Sequence, residues 1–195
     1  YETIQQQMHD RLIQEMYDTN DPILTYLYPK IGLSINSIDH WVHVNTDLPN
    51  DTFTVTNYGI DTLNYTITDD ASWFSCNPDN GSSSGESDTI NIIYHTAGLA
   101  IGDYSATISV ADPNAMNTPQ QITVEIQVRQ PGDLDHDYDV DQEDFGFFQA
   151  CYSGLGQTFP PGCEEADMDS DTDVDRIDFN NFYPCMAGPN QTPGC

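Results

Sequence analysis

Positive charge is almost absent from this chain. Arg11, Lys30, Arg129 and Arg176 are its only lysines and arginines, set against thirty-two Asp and Glu, for a formal charge of −28. A surface this negative repels nucleic acid and anionic membranes, so neither is an expected partner, and cations are. No apolar run is long enough to cross a bilayer, and no signal-like hydrophobic segment is present, so membrane insertion is not expected. The chain opens at Tyr1, which reads as a processed or excised piece. Missing too are a nucleophile elbow, a phosphate loop, a redox-spaced thiol pair and a zinc-type His/Cys cluster. His40 and His43 stand three apart on a strand-like stretch, which points them to opposite faces. Asp69-Asp70 has no identifiable acid/base partner, so a non-enzyme is expected.

What the chain has is acid in a pattern. Residues 132–195 hold fifteen Asp and Glu against one Arg. Asp133, Asp135, Asp137, Asp139, Asp141 and Asp144 recur 34 residues later as Asp167, Asp169, Asp171, Asp173, Asp175 and Asp178. These are positions 1, 3, 5, 7, 9 and 12 of a twelve-residue calcium loop. Calcium takes six to eight oxygens, with position 7 giving its backbone carbonyl. Two Ca2+ ions are therefore expected, and all twelve aspartates are the candidate ligands. Magnesium suits so many carboxylates less well. Val140 and Val174 take position 8, where paired loops exchange a short β-bridge. Phe145/Phe148 and Phe179/Phe182 then place aromatics three apart on one face of a short exiting helix.

The cysteines repeat with the acids. Cys151 is followed by a Gly/Pro loop to Cys163, and Cys185 by another to Cys195. Four cysteines allow three pairings, and the repeat favours the local ones, Cys151–Cys163 and Cys185–Cys195. Cys76 is then left over beside Trp73-Phe74, as a buried free thiol or as half of an intermolecular bridge. Together with Asn-x-Ser/Thr acceptors at Asn50, Asn64, Asn80 and Asn190, the cysteines suit an extracellular or cell-surface setting.

Upstream the periodicity changes twice. Ile4, Met8, Leu12 and Met16 at four-residue spacing predict an amphipathic helix over residues 2–18, stopped by Asn20-Asp21-Pro22. It packs on its own domain or serves as an arm for a partner. Ile23–Tyr28 is β-prone and could pair with its own sheet or with a neighbouring molecule. From Ile31 to Arg129 apolar residues alternate with polar ones in seven or eight runs, including Phe53/Val55, Leu63/Tyr65/Ile67, Ile90/Ile92/Tyr94 and Ile122/Val124/Ile126/Val128. Turn-like breaks at Pro78–Gly81 and Asp112-Pro-Asn114 make this an antiparallel sandwich, with residues 82–87 its most flexible loop.

Two family resemblances follow from these words. Phe53-Thr-Val-Thr-Asn-Tyr-Gly59, Tyr94-His-Thr-Ala-Gly-Leu99 and Gly102-x-Tyr104-Ser-Ala-Thr-Ile108 resemble the BACON-type Ig-like domain. That family is often proposed to bind carbohydrate and sometimes acts as a spacer; Tyr58, Trp73 and Tyr94 are the aromatic candidates for a glycan. The tandem of acidic loop, exiting helix and cysteine resembles a dockerin module, most closely the Asp-rich, Cys-containing variants. Departures from the dockerin pattern lie at position 6, where Tyr138 and Thr172 replace the usual Gly, and at positions 10 and 11. The latter often meet cohesin in dockerins, and here they are Gln142-Glu143 and Arg176-Ile177, without the common hydroxyl pair.

The expected fold class is mainly β: an Ig-like antiparallel β-sandwich with an N-terminal helix and a small C-terminal α dockerin-like calcium module. The segments are 1–30 (helix and strand arm), 31–130 (sandwich) and 131–195 (calcium module). The expected role is a secreted, non-catalytic, calcium-stabilised assembly protein whose partner is a protein, another copy of itself or a cohesin-like scaffold. The alternatives are a carbohydrate-binding module docked to such a scaffold and the non-catalytic tail of a secreted glycoside hydrolase.

Overall fold

The computed structural model describes residues 2–19, 28–191 and 195. The stop at residues 20–22 and the β-prone run of residues 23–27 lie outside the described residues. The chain divides into two compact units. The first comprises Tyr1–Asp39, Pro49–His95 and Ser105–Glu125; the second comprises His40–Leu48, Thr96–Tyr104 and Ile126–Cys195.

The first unit opens with helix α1 (Glu2–Asp18). Side-chain amides bridge one turn along its surface, Gln6 to Asp10 at 2.9 Å and Gln14 to Asp18 at 3.0 Å. Its apolar stripe is not buried: Ile4, Met8 and Leu12 are 62%, 68% and 57% exposed. Packing on its own domain, one of the two readings of this helix, is therefore not what the described residues show.

Among the described residues nine strands make two sheets: β1 (Ile31–Leu33), β2 (Ser37–His43), β3 (Asp51–Asn57), β4 (Leu63–Asp69), β5 (Phe74–Asn77), β6 (Asn80–Ser83), β7 (Ser87–Tyr94), β8 (Gly102–Ala111) and β9 (Gln120–Arg129). The orders are β1-β3-β7-β5 and β2-β9-β8-β4-β6. Period-two alternation puts Phe53, Val55, Leu63, Tyr65, Ile90, Ile92, Ile108 and Val110 in the core, with Phe53 opposite Ile90 and Ile67 opposite Val110. Two core tyrosines keep a polar handle: Tyr65 donates to Asp88 and Tyr94 to Asp51, each at 2.9 Å.

Strands β5 and β6 escape the alternation. Residues 78–81 read as a turn and 82–87 as a flexible loop, yet Asn80–Ser83 pairs with β4, with Gly81 opposite Tyr65. A Cβ at Gly81 would overlap the Tyr65 ring, so glycine here marks close approach, not a turn. Ser83 is fully buried; its hydroxyl accepts from the Asn57 amide at 3.1 Å and donates to the Glu86 carbonyl at 2.7 Å. A strand held by polar side chains has no hydrophobic period to read.

In the second unit, helices α2 (Gln142–Cys151) and α3 (Arg176–Phe182) follow the two acidic loops. Disulfides join Cys151 to Cys163 and Cys185 to Cys195. Their core contains Val140, Phe148, Ala166, Val174 and Phe182, with the Phe148 and Phe182 rings stacked at 5.2 Å.

Candidate metal centre

Each acidic loop folds around its own backbone. Asp133 accepts the amides of Asp137 and Tyr138, both at 3.1 Å, and Asp167 accepts those of Asp171 and Thr172 at 3.1 and 3.0 Å. The loop's last carboxylate returns to its start. Asp144 takes the amides of Leu134 at 2.6 Å, Asp135 at 3.1 Å and Asp141 at 2.7 Å; Asp178 does the same for Met168, Asp169 and Asp175. Asp141 and Asp175 cap α2 and α3, each in a reciprocal capping box.

These bonds gather the aspartates into trios. Carboxylate oxygens of Asp133, Asp135 and Asp144 lie within 4.8 Å of one another, as do those of Asp139, Asp141 and Asp144. In the second loop the trios are Asp167, Asp169 and Asp178, and Asp173, Asp175 and Asp178. Asp137 and Asp171 stand outside the trios; each instead accepts the amide of the position-7 residue, Asp139 at 3.2 Å and Asp173 at 3.1 Å. Asp139 and Asp173 were expected to offer only a backbone carbonyl, but their carboxylates enter the second trio.

The electrostatics of the loops favour a cation. Burial, then the neighbouring Asp144 and Asp137 charges, push the Asp135 carboxyl up to about 6. Asp133 and Asp169 are raised by burial and by neighbouring carboxylates. Asp139 Oδ1 and Asp173 Oδ1, buried at equivalent places, accept no hydrogen bond. A buried carboxylate oxygen without a donor is costly, and a hard cation is the ligand that an all-oxygen donor set suits.

The bridge expected between Val140 and Val174 does not form; each valine is instead engaged by the other repeat's disulfide loop. The Val140 carbonyl accepts the amides of Ala187 at 2.9 Å and Gly188 at 3.3 Å, and Asp139 Oδ2 accepts that of Asn190 at 2.5 Å. Reciprocally, the Val174 carbonyl accepts from Ser153 at 2.9 Å and Gly154 at 3.0 Å, and Asp173 Oδ2 from Gly156. The Val174 amide also donates to Ser153 Oγ at 2.9 Å. Amides of the disulfide loops occupy the Val140 and Val174 carbonyls, while both side chains lie in one buried core with Phe148, Phe182, Cys151, Cys163 and Cys185.

Backbone conformation accounts for the departures at position 6. Tyr138 and Thr172 have φ of +75° and +79°, the left-handed region that glycine adopts freely. The neighbouring Asp103 carboxylate raises the pKa of the Tyr138 hydroxyl, the first of several causes that also include burial. At position 4 of the first loop, His136 Nε2 lies 2.9 Å from Arg129 Nη1 and 3.0 Å from Glu165 Oε2, while Arg129 donates to Glu165 at 2.9 Å and covers the Trp41 ring. Neither Arg129 nor Glu165 carried a motif; one positive side chain near a run of carboxylates was the available signal.

The other candidates separate. Trp73 and Tyr94 are buried, at 8% and 3% exposure, and only Tyr58 at 68% is open, so the three do not form a glycan platform. A β-sandwich needs large aromatics between its sheets, and these two fill that need. Cys76 is free and half-buried, its thiol pushed up to about 12 by burial and by the nearby Asp69 charge.

Residues 37–129, just under half of the chain, match the family model of the viral BACON domain, which supports the BACON-type resemblance of this segment. A search of curated proteins finds no match. Among solved structures, the periplasmic chaperone SfaE is similar at 15% identity over 50% of this chain and 57% of its own, with a TM-score of 0.41. This chain thus spans little more than half of that chaperone. A PapD-like domain of human CEP192 is 14% identical over 53% of this chain and 87% of its own, TM-score 0.41. A putative carbohydrate binding protein from Bacteroides ovatus is 11% identical over 51% and 37%, TM-score 0.43. Likenesses at this level add nothing to the two-sheet fold that the strand order already defines. No helix among the described residues is long and apolar enough to cross a membrane. Two disulfides belong to an oxidising setting.

Proposed function

We propose that residues 132–195 form a dockerin-like tandem calcium module, and that the chain is a secreted, non-catalytic structural protein that makes protein–protein contacts, with copies of itself as the first partner. The observation that carries the calcium reading is the pair of buried, donor-less oxygens on Asp139 and Asp173, each in a loop whose carboxylates are already crowded. Asp133, Asp135, Asp137, Asp139, Asp141 and Asp144 would hold one ion, and Asp167, Asp169, Asp171, Asp173, Asp175 and Asp178 the other. Bound calcium supplies counter-charge and couples to folding.

The exposed apolar stripe on α1 supports self-assembly, because a stripe of Ile4, Met8 and Leu12 is stabilised only when something covers it. A glycan role has less support, since two of its three aromatic candidates lie in the core.

The test is chelation. With calcium, residues 132–191 should resist protease and give helical circular dichroism; EGTA should abolish both while the strands of the first unit persist. Indifference to EGTA would refute the calcium reading. Sedimentation and electron microscopy at high protein concentration address assembly: a monomer both with and without calcium would remove self-assembly from the proposal.

A further inference from the structure

The two disulfide loops are exchanged between the acidic loops. Positions 7 and 8 of the first loop are engaged by the segment after Cys185, and those of the second by the segment after Cys151. We infer that each repeat's disulfide loop organises the cation site of the other repeat. This rests on the calcium reading and states how that site is controlled.

The physical argument runs through Val174 and Asp173. An ion loop binds tightly when its oxygens are held in place before the ion arrives, because ordering them afterwards subtracts from the binding energy. Positions 7 and 9 flank Val174, whose carbonyl and amide are both held by the Ser153–Gly154 turn. Thr158 adds a β-bridge to Asp173. Ser153, Gly154 and Thr158 all lie between Cys151 and Cys163, which are disulfide-bonded and 12 positions apart. That disulfide limits the freedom of the segment that pins the second loop, although its first cysteine ends the helix that leaves the first loop. The arrangement is not fully symmetric: the residue equivalent to Ser153 is Ala187, which has no hydroxyl, so the first loop lacks the side-chain part of the latch.

Calcium titration of the full chain followed by amide NMR reads both sites at once, with Tyr138 reporting the first loop and Thr172 the second. Replacing the bridge in a C151S/C163S double variant should weaken the second loop about tenfold and leave the first within about threefold. Ser153→Ala, which keeps both disulfides, should weaken the second loop about threefold and leave the first unchanged. Should the double variant fail to fold, the serine variant decides. The inference is overturned if the first loop weakens as much as the second in the double variant, or if Ser153→Ala moves neither. Failure of the crosswise organisation would leave two calcium-binding loops in the wild type, whereas a wild type that binds calcium at neither loop overturns the underlying reading itself.

Discussion

Thr172 shows how much a single residue can hold against its own preference. A β-branched side chain at φ +79° is strained. Thr172→Gly should therefore stabilise the calcium-loaded module by about 1 kcal/mol, seen as a higher calorimetric midpoint. A lower midpoint would mean that the threonine makes contacts worth more than the strain. His43 sets a pH dependence. Burial lowers its pKa from 6.5, Glu165 opposes the shift and Arg129 reinforces it. The folded state thus favours neutral imidazole, so this contribution is present above 6.5 and lost as pH falls through the lowered value. Thermal unfolding from pH 7 to pH 5 should be less pH-sensitive in His43→Gln than in the wild type; equal slopes would assign the dependence to other groups.

Among the elements, α2 and α3 depend on their first turns. At ten and seven residues they are too short to persist alone, and both are started by capping boxes whose second member is also the last residue of an acidic loop. Loop closure and helix initiation are one event at Asp144 and Asp178. Asp144→Ala removes the acceptor of three amides, that of Leu134 buried and those of Asp135 and Asp141 partly so, and should destabilise the module by about 3 kcal/mol even without calcium. Hydrogen exchange at the Leu134 and Asp135 amides would show it as lost protection; retained protection would mean another acceptor takes over. The Asp-x-Asp comb and the Phe pairs made these elements legible in advance. β6 was illegible because Gly81 and Ser83 are placed by the Tyr65 ring and the Asn57 amide, partners remote in sequence.

For the molecule as a whole the dominant quantity is a charge of −28, with fifteen of the acids in residues 132–195. Self-repulsion on that scale is relieved by bound cations and, less specifically, by screening. In EGTA, raising sodium chloride from low to near-molar concentration should raise the unfolding midpoint of the C-terminal module. In saturating calcium the same change should matter much less. A chelated module indifferent to salt would show that repulsion is not what calcium offsets.

The sequence by itself determined the loops, their helices and the two disulfides, because each is decided by residues within about a dozen positions of one another and then written a second time 34 residues on. It also determined the sandwich, through a period of two that survives across most of the strands. Tertiary structure alone decided where the unlike parts meet. Asp139 and Asn190 stand 51 residues apart, and nothing local says that the aspartate's carboxylate, and not only its carbonyl, faces inward, or that Val140 bonds the other repeat's loop in place of Val174. The same holds for Trp73 and Tyr94, whose rings could serve a surface or a core until two sheets close over them. Short-range pattern fixes what each segment can be; which of its faces is used depends on what the rest of the chain brings against it.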